Sequence, residues 1–158
     1  MSLTTPGSPS PMERALELAR KARDEDEVPV GAVVLKDGAV IGTGYNRREQ
    51  DQDPLAHAEI MAIREAATKL GSWRLEGCDL FVTLEPCPMC LAACQQSRVS
   101  RVVYGATDPK GGALSLGYRV HEDARTHHRF QVEEALDPRC GAILSEFFRN
   151  KRQRSTSG

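Results

Sequence analysis

The sequence predicts an α/β fold, a three-layer α/β/α sandwich with a central mixed sheet of about five strands. Segments with helical periodicity alternate with short β-branched segments, in the order α-β-β-α-β-α-β-loop-β-α. Helices that alternate with strands cover both faces of a sheet. A length of 158 residues corresponds to one domain with a core of its own.

The first helix has a clear start and stop. Ser10 is a good N-cap residue, Pro11 fits the first helical position, and Glu13 completes a capping box. The acidic run at 24–27 ends the helix. Its apolar stripe consists of Met12, Ala15, Leu16, Ala19 and Ala22.

A hairpin follows. The apolar segment 30–35 predicts a strand, Lys36-Asp37-Gly38 predicts a tight turn, and 39–45 predicts the returning strand. Gly42 and Gly44 in the returning strand indicate a bulge or the close approach of another backbone.

The middle of the chain predicts a strand between two helices. Asp53 and Pro54 start a helix that Gly71 ends. The segment 80–84 is typical of a buried strand, and 88–96 predicts a short helix that begins with a proline.

Two strands and one helix complete the prediction. The strands are expected at 102–104 and, more weakly, at 130–132, with a glycine-rich loop at 111–117 between them. Asp137-Pro138 starts the last helix. The apolar side of that helix holds Ile143, Leu144, Phe147 and Phe148. We expect flexible tails at 1–10 and 153–158 and a single domain at 11–152.

Composition excludes several classes of protein. With 40% hydrophobic and 27% charged residues, the chain is not disordered over most of its length. No segment approaches the ~20 apolar residues of a transmembrane helix, and the N-terminal residues do not resemble a signal peptide. Five cysteines, an odd number, argue against a secreted disulfide framework. We therefore expect a cytoplasmic protein without a membrane partner.

The segment Glu85-Pro86-Cys87-Pro88-Met89-Cys90 lies where a strand passes into a helix. Cys87 and Cys90 are three residues apart, so both sulfurs point the same way in a first helical turn. Backbone N–H groups at a helix start favour thiolates. The pair could hold a metal ion, but a redox dithiol or two core cysteines fit the same spacing.

His57 and Glu59 lie at the start of the preceding helix. An imidazole and two thiolates make three ligands that suit Zn²⁺, and three protein ligands leave a position for water, as in catalytic sites. Glu59 is two residues from His57 and is a poor ligand for the same ion, but its side chain can reach that water and move its proton.

Two alternatives remain open. Cys94 could close a four-ligand structural site, although a sulfur one turn deeper is more naturally part of the core. Cys78 and Cys140 are interpreted as small buried hydrophobic residues.

The basic end of the chain, where four Lys and Arg residues follow Glu146, could dock a polyanion such as RNA or could simply complement the helix dipole.

The order His-x-Glu…Pro-Cys-x-x-Cys is the signature of zinc nucleobase deaminases. On these motifs the chain resembles the cytidine and deoxycytidylate deaminase superfamily, with a cytidine deaminase-like fold, and within it the bacterial tRNA-specific adenosine deaminases. The resemblance runs from about Met12 to Arg152. The supporting segments are 28–33, 44–47, 56–60, 73–77, 82–90, 97–99, 108–112 and 147–149.

The resemblance implies hydrolytic deamination of the wobble adenosine of a tRNA anticodon to inosine. It implies one Zn²⁺ per chain held by His57, Cys87 and Cys90, with Glu59 as the proton shuttle. It also implies a homodimer that binds the tRNA anticodon stem-loop. The substrate contacts that it implies are Asn46, Asp108, Lys110, Phe148, Arg149 and Arg152.

The segment 113–128 departs from the pattern of the tRNA enzymes, because the residues after Gly112 are shifted and His127-His128 replaces Asn-His. This departure puts the substrate preference in question. The alternatives are a zinc deaminase of a free base or nucleoside, such as cytosine or guanine, and a zinc-stabilised RNA-binding domain without activity. His121, His127 and His128 could suggest a second metal, but a polar loop is the simpler interpretation.

Overall fold

A computed structural model of the chain describes residues 8–156. Its strands are β1 (Gly31–Lys36), β2 (Ala39–Tyr45), β3 (Cys78–Val82), β4 (Arg101–Tyr104) and β5 (Gln131–Glu134). Its helices are α1 (Pro11–Asp24), α2 (Arg48–Asp51), α3 (Ala58–Leu70), α4 (Pro88–Gln96) and α5 (Pro138–Thr156), with a 3-10 turn at Val120–Glu122.

The five strands form one mixed sheet in the order β2-β1-β3-β4-β5. β1 is antiparallel to both β2 and β3, whereas β3, β4 and β5 are parallel to one another. α3 and α4 cover one face of the sheet, and α1 and α5 cover the other. The predicted three-layer sandwich with a mixed sheet is confirmed.

The first helix forms as predicted. The Ser10 hydroxyl accepts a hydrogen bond from the backbone N–H of Glu13 at 3.2 Å, and the helix ends within the acidic run, with Glu25 as its C-cap. Ala15, Leu16 and Ala19 are fully buried against the sheet. A capping serine followed by a proline therefore fixes where the helix starts. The apolar stripe fixes which side of the helix packs against the sheet.

Glycines in the hairpin let α3 lie directly on the sheet. A methyl group at Gly42 would collide with the carbonyl oxygen of Ala62, and one at Gly44 would collide with that of Ala58. The predicted close approach of another backbone is confirmed, and the backbone is that of α3. This contact fixes the helix whose N-terminus carries His57.

The start of α3 was predicted wrongly. Asp53 does not cap a helix, because its carboxylate accepts the N–H of Leu55 at 2.9 Å in a local turn. The helix starts only at Ala58, so His57 is its N-cap residue rather than part of its first turn.

Other boundaries differ by one or two residues. β3 begins right after Gly77, which has a positive φ of 76°, and ends before the turn into Pro86, two residues earlier than expected. The weak strand at 130–132 is β5, displaced towards the C-terminus by one or two residues. The helix at 88–96 has the predicted bounds.

α2 was not predicted. Its backbone N–H groups at Glu49 and Gln50 donate to the carboxylate of Glu27, at 3.2 and 2.7 Å. Glu27 is almost completely buried. A carboxylate 22 residues away in the chain therefore stabilises this short helix, and no local sequence signal predicts such a contact.

The last helix reaches into the segment predicted as a tail. α5 continues to Thr156, and residues 1–7 and 157–158 of the two predicted tails lie outside the described residues. Asp26 accepts from Arg154 at 3.0 Å and lies 3.8 Å from Lys151. Across residues 8–156 no helix is long and apolar enough to cross a membrane.

Candidate active site

A cleft of about 610 Å³ opens at the edge of the sheet where β2, β3 and β4 end and β1 begins. In sheets with parallel strands, the carboxyl ends of the strands are the usual place for a ligand site. The cleft is lined by residues from the segments 28–30, 46–48, 57–59, 84–87, 106–110 and 141–148.

Three potential metal ligands meet at the floor of this cleft. His57 is the N-cap of α3, Cys87 is the N-cap of α4, and Cys90 lies in the first turn of α4. Their donor atoms all lie within 4.8 Å of one another, and they are the one such cluster within the described part of the chain. Neither N-cap side chain bonds its own helix. Both side chains are therefore directed to a common point.

The spacing of these atoms fits a zinc ion. His57 Nδ1 lies 3.6 Å from Cys87 Sγ and 3.5 Å from Cys90 Sγ. A nitrogen at about 2.05 Å and a sulfur at about 2.3 Å from a tetrahedral zinc are about 3.5 Å apart. One imidazole and two thiolates form a donor set that zinc prefers, and three ligands leave one position open.

The two thiols differ in acidity without a metal. A hydrogen bond from Cys90 lowers the pKa of Cys87 to about 4, with a smaller contribution from His57. The same hydrogen bond and burial raise the pKa of Cys90. The hydrogen bond to Cys87 also raises the pKa of His57, against the effect of its burial. A metal ion replaces the shared proton, so its binding should release protons.

Glu59 lies beside these ligands and is 4% exposed. Burial raises the pKa of its carboxyl group to about 7. A group with this pKa exchanges protons readily near neutral pH, which suits a general acid and base. Its burial excludes the role of an ordinary solvent-exposed glutamate on a helix surface.

Cys94 is not part of the ligand cluster. It is fully buried in the core formed by α3, α4 and the sheet, and burial raises the pKa of its thiol. Cys78 and Cys140 are also fully buried. The described residues therefore provide three ligands at this site, not four.

Four of the six predicted substrate contacts line the cleft. Asn46 is buried beside it; its amide donates to the Val28 carbonyl and its oxygen accepts from Arg48 N–H, both at 3.2 Å. Asp108, Lys110 and Phe148 also line the cleft, and Phe148 is exposed rather than packed in the core.

The other two predicted contacts, Arg149 and Arg152, lie on the exposed surface of α5 beyond Phe148. Of the four basic residues after Glu146, Lys151 and Arg154 lie against Asp26. Part of the basic end thus has a structural role, which the sequence alone did not separate from a docking role.

Two residues of the cleft were missed. Arg48 is exposed at the cleft, and its charge acts on His57. Glu85 is 3% exposed, and its contacts reach a segment more than 20 residues away. Glu85 lies in the segment that leads into Cys87, but its bonding partners are 23 and 30 residues away in the chain, so no local signal predicts its contacts.

The histidines of the 113–128 segment form no second metal cluster among the described residues. His121 is buried against Phe130, and His128 stacks on the same ring and contacts the Val99 carbonyl oxygen at 2.7 Å. The side chains of His121 and His128 pack the loop against Phe130.

Comparisons with known proteins agree with this site. Residues 9–106 match the model of the cytidine and deoxycytidylate deaminase zinc-binding region. A Bacillus subtilis (strain 168) protein named tRNA-specific adenosine deaminase is 46% identical over 144 residues, which is 90% of this chain and 89% of the relative.

Two solved structures are also similar. One comes from a study of A-to-I editing by tRNA:A34 deaminases at the wobble position of transfer RNA; it is 47% identical, with a TM-score of 0.80 over 85% of this chain and 98% of that one. The other is a guanine deaminase from Bacillus subtilis, 40% identical, with a TM-score of 0.60 over 68% of each chain. By its zinc-ligand cluster, its fold and these similarities, the chain belongs to the cytidine and deoxycytidylate deaminase family.

Proposed function

We propose that this protein is a zinc-dependent tRNA adenosine deaminase that converts the wobble adenosine of an anticodon to inosine. One observation carries the proposal: a His-Cys-Cys cluster and a buried glutamate share a cleft in a chain that matches a tRNA:A34 deaminase over 85% of its length. A tRNA substrate would place the enzyme in the cytoplasm.

His57, Cys87 and Cys90 would hold the ion. When bound, zinc supplies a Lewis acid that makes water a nucleophile near neutral pH. Glu59 would accept the proton of that water and return it to the departing amino group, which leaves as ammonia. An RNA-binding domain without activity would have no need for a buried carboxylate beside the ligands.

The other cleft residues would bind the nucleotide. Asn46 has a second amide hydrogen that can donate to the flipped base or ribose. Asp108 and Lys110 would contact the anticodon strand, and Phe148 offers an exposed ring on which a base can stack.

Arg149 and Arg152 would reach the phosphates of the anticodon stem-loop from α5. Each phosphate contact releases counterions, so Arg149→Ala should weaken RNA binding and lower the slope of affinity against salt by about 0.7–0.9. If Arg149→Ala binds RNA as tightly as wild type at every salt concentration, Arg149 does not contact the RNA.

We also propose a homodimer through the surface beside α4. Leu116 and Tyr118 are 49% and 56% exposed there, next to a groove lined by Pro88, Leu91 and Ala92. Exposed apolar groups beside a groove are typical of a protein interface. Light scattering should give twice the monomer mass for wild type, and Tyr118→Asp should lower the measured mass. A monomeric wild-type protein would contradict the proposal.

The second candidate function is the deamination of a free base, because a guanine deaminase shares the fold at 40% identity. A single assay separates the two: ammonia release from a tRNA transcript whose anticodon begins with adenosine, compared with guanine, cytosine and free adenosine at equal concentration. We expect turnover with the transcript alone. Turnover with guanine and none with the transcript would establish the second function.

A further inference from the structure

Glu85 follows β3 and is bound to a loop that also lines the cleft. Its carboxylate accepts three hydrogen bonds from two residues of that loop. Oε1 accepts from the backbone N–H of Asp108 at 3.1 Å and from the hydroxyl of Ser115 at 2.7 Å. Oε2 accepts from the backbone N–H of Ser115 at 2.9 Å.

The backbone on either side of Glu85 holds the same loop. The N–H of Glu85 donates to the Ala106 carbonyl oxygen, and the N–H of Ala113 donates to the Pro86 carbonyl oxygen, both at 2.8 Å. A methyl group at Gly112 would collide with the Glu85 carboxylate, so a larger residue there would displace that carboxylate from its present position. Residues 106–115, here called the clamped loop, are therefore attached to the segment that carries the metal ligand Cys87.

The clamped loop places charged side chains at the cleft. Asp108 and Lys110 lie on it, and both line the cleft. The Asp108 carboxylate accepts the N–H groups of Lys110 and Gly111, at 3.3 and 3.1 Å, which fixes the turn between them. The position of Lys110 relative to the metal ligands therefore depends on the bonds to Glu85.

We propose that Glu85 is a positioning residue that fixes the clamped loop at the cleft before substrate arrives. Hydrogen bonds to a buried carboxylate are strong, and a loop ordered in advance loses less entropy when it binds. The proposal rests on the tRNA substrate proposed above. It also explains how the altered 113–120 segment remains compatible with the site, because Ser115 supplies two of the three bonds.

The test is kinetic. Glu85→Gln keeps the side-chain volume but replaces one acceptor oxygen by an NH₂ group that cannot accept from the loop. With an anticodon stem-loop as substrate, KM should rise about tenfold, the size expected for losing a hydrogen bond to a charged group. Changes in kcat should stay within about threefold and zinc should stay at one per chain, because neither depends directly on the loop. Glu133→Gln, an exposed glutamate on β5, is the matched control.

Ser115→Ala tests the same contact in case Glu85→Gln does not fold properly. Ser115 is exposed, and this change removes one of the three donors while the backbone N–H remains. KM should rise in the same direction but less. In the double variant the two effects should be less than multiplicative, because both act on one contact.

Hydrogen exchange decides the proposal without RNA. In Glu85→Gln the amides of residues 106–117 should exchange faster than in wild type, while those of α1 should not. Unchanged exchange in this segment overturns the proposal, as does a loss of kcat at unchanged KM. If wild type fails to deaminate any tRNA, the proposed function falls, and the exchange result alone still decides the role of Glu85.

Discussion

At the scale of single residues, burial determines the acidity of Glu59. Its carboxyl group is buried beside the His57, Cys87 and Cys90 cluster, and burial raises its pKa to about 7. Glu59→Gln should lower kcat by about 10²–10⁴-fold, the usual contribution of a general acid or base. Zinc content should stay at one per chain, since Glu59 is not a ligand.

Metal analysis and single-turnover rates check this expectation. Glu65→Gln, an exposed glutamate on the same helix, is the control and should leave both unchanged. Turnover of Glu59→Gln within tenfold of wild type would show that Glu59 does not transfer the proton.

Cys94 tests whether the site has three ligands. Cys94→Ala should retain one zinc per chain and most of the activity, at a cost of about 1 kcal/mol in the free energy of unfolding for the lost core volume. Cys87→Ala should lose the zinc. The zinc content of both variants is measured by metal analysis after dialysis. Loss of zinc from Cys94→Ala would indicate a four-ligand structural site instead.

Residue type and spacing were enough to predict which side chains the structure brings together beside the cleft. His57, Glu59, Cys87 and Cys90 occur in two short motifs, and each motif lies at a helix start, so local sequence places the side chains. Arg48 and Glu85 could not be predicted in this way. Their roles come from tertiary contacts, and the partners of Glu85 are 23 and 30 residues further along the chain.

At the scale of elements, the contact of α3 with β2 positions the site. Gly44→Ala would force the Ala58 carbonyl, in the first turn of α3, away from the sheet. We expect a loss of about 1–3 kcal/mol in unfolding free energy, as for other overpacked sites, together with lower activity because His57 and Glu59 move with the helix.

Gly141→Ala on α5 is the control for this change. A methyl group at Gly141 meets nothing within 4 Å, so the variant should be as stable as wild type or up to about 1 kcal/mol more stable. Chemical denaturation measures both variants. Equal stability of Gly44→Ala and wild type would show that α3 can shift without cost.

The end of α5 is attached by Asp26 to the segment that directly follows α1. A hydrogen bond from Arg154 holds the pKa of Asp26 below its usual 3.8. A lowered carboxyl pKa stabilises the folded state above pH 3.8, and this contribution is lost as the pH falls through the folded value. The attachment should therefore be constant at neutral pH and weaken below about pH 4 and at high salt.

Asp26→Asn should speed hydrogen exchange in residues 150–156 at pH 7 by about two- to fivefold, the range expected for an exposed ion pair. Asp24→Asn, at the last turn of α1, is the control and should have no effect there. Unchanged exchange in Asp26→Asn would show that other contacts hold the end of α5.

Most elements were predictable, and the errors have physical causes. Capping and periodicity gave α1 and α4 correctly, because those signals are local. The start of α3 was misplaced since the Asp53 side chain forms a local turn, and α2 was missed since it depends on buried Glu27. The basic end was only partly understood, because the ion pairs with Asp26 span more than 120 residues.

At the scale of the whole molecule, strand order decides where the chemistry occurs. The sequence predicted the layers and the mixed sheet but not the order β2-β1-β3-β4-β5. That order brings the ends of β2, β3 and β4 to one edge, with the ligand-bearing starts of α3 and α4 beside them. Strand order could not be predicted from periodicity, because it depends on pairings between distant segments.

The central claim is that this cleft deaminates one nucleotide of a tRNA. The most direct measurement is inosine mapped by position in two transcripts of one tRNA, incubated with the zinc-loaded protein. One transcript has adenosine as the first anticodon nucleotide, and the other has guanosine there with its remaining adenosines unchanged. We expect inosine at the first anticodon position of the first transcript and at no position of the second. If neither transcript contains inosine, or if inosine is equally frequent at other adenosines, the cleft does not have this activity.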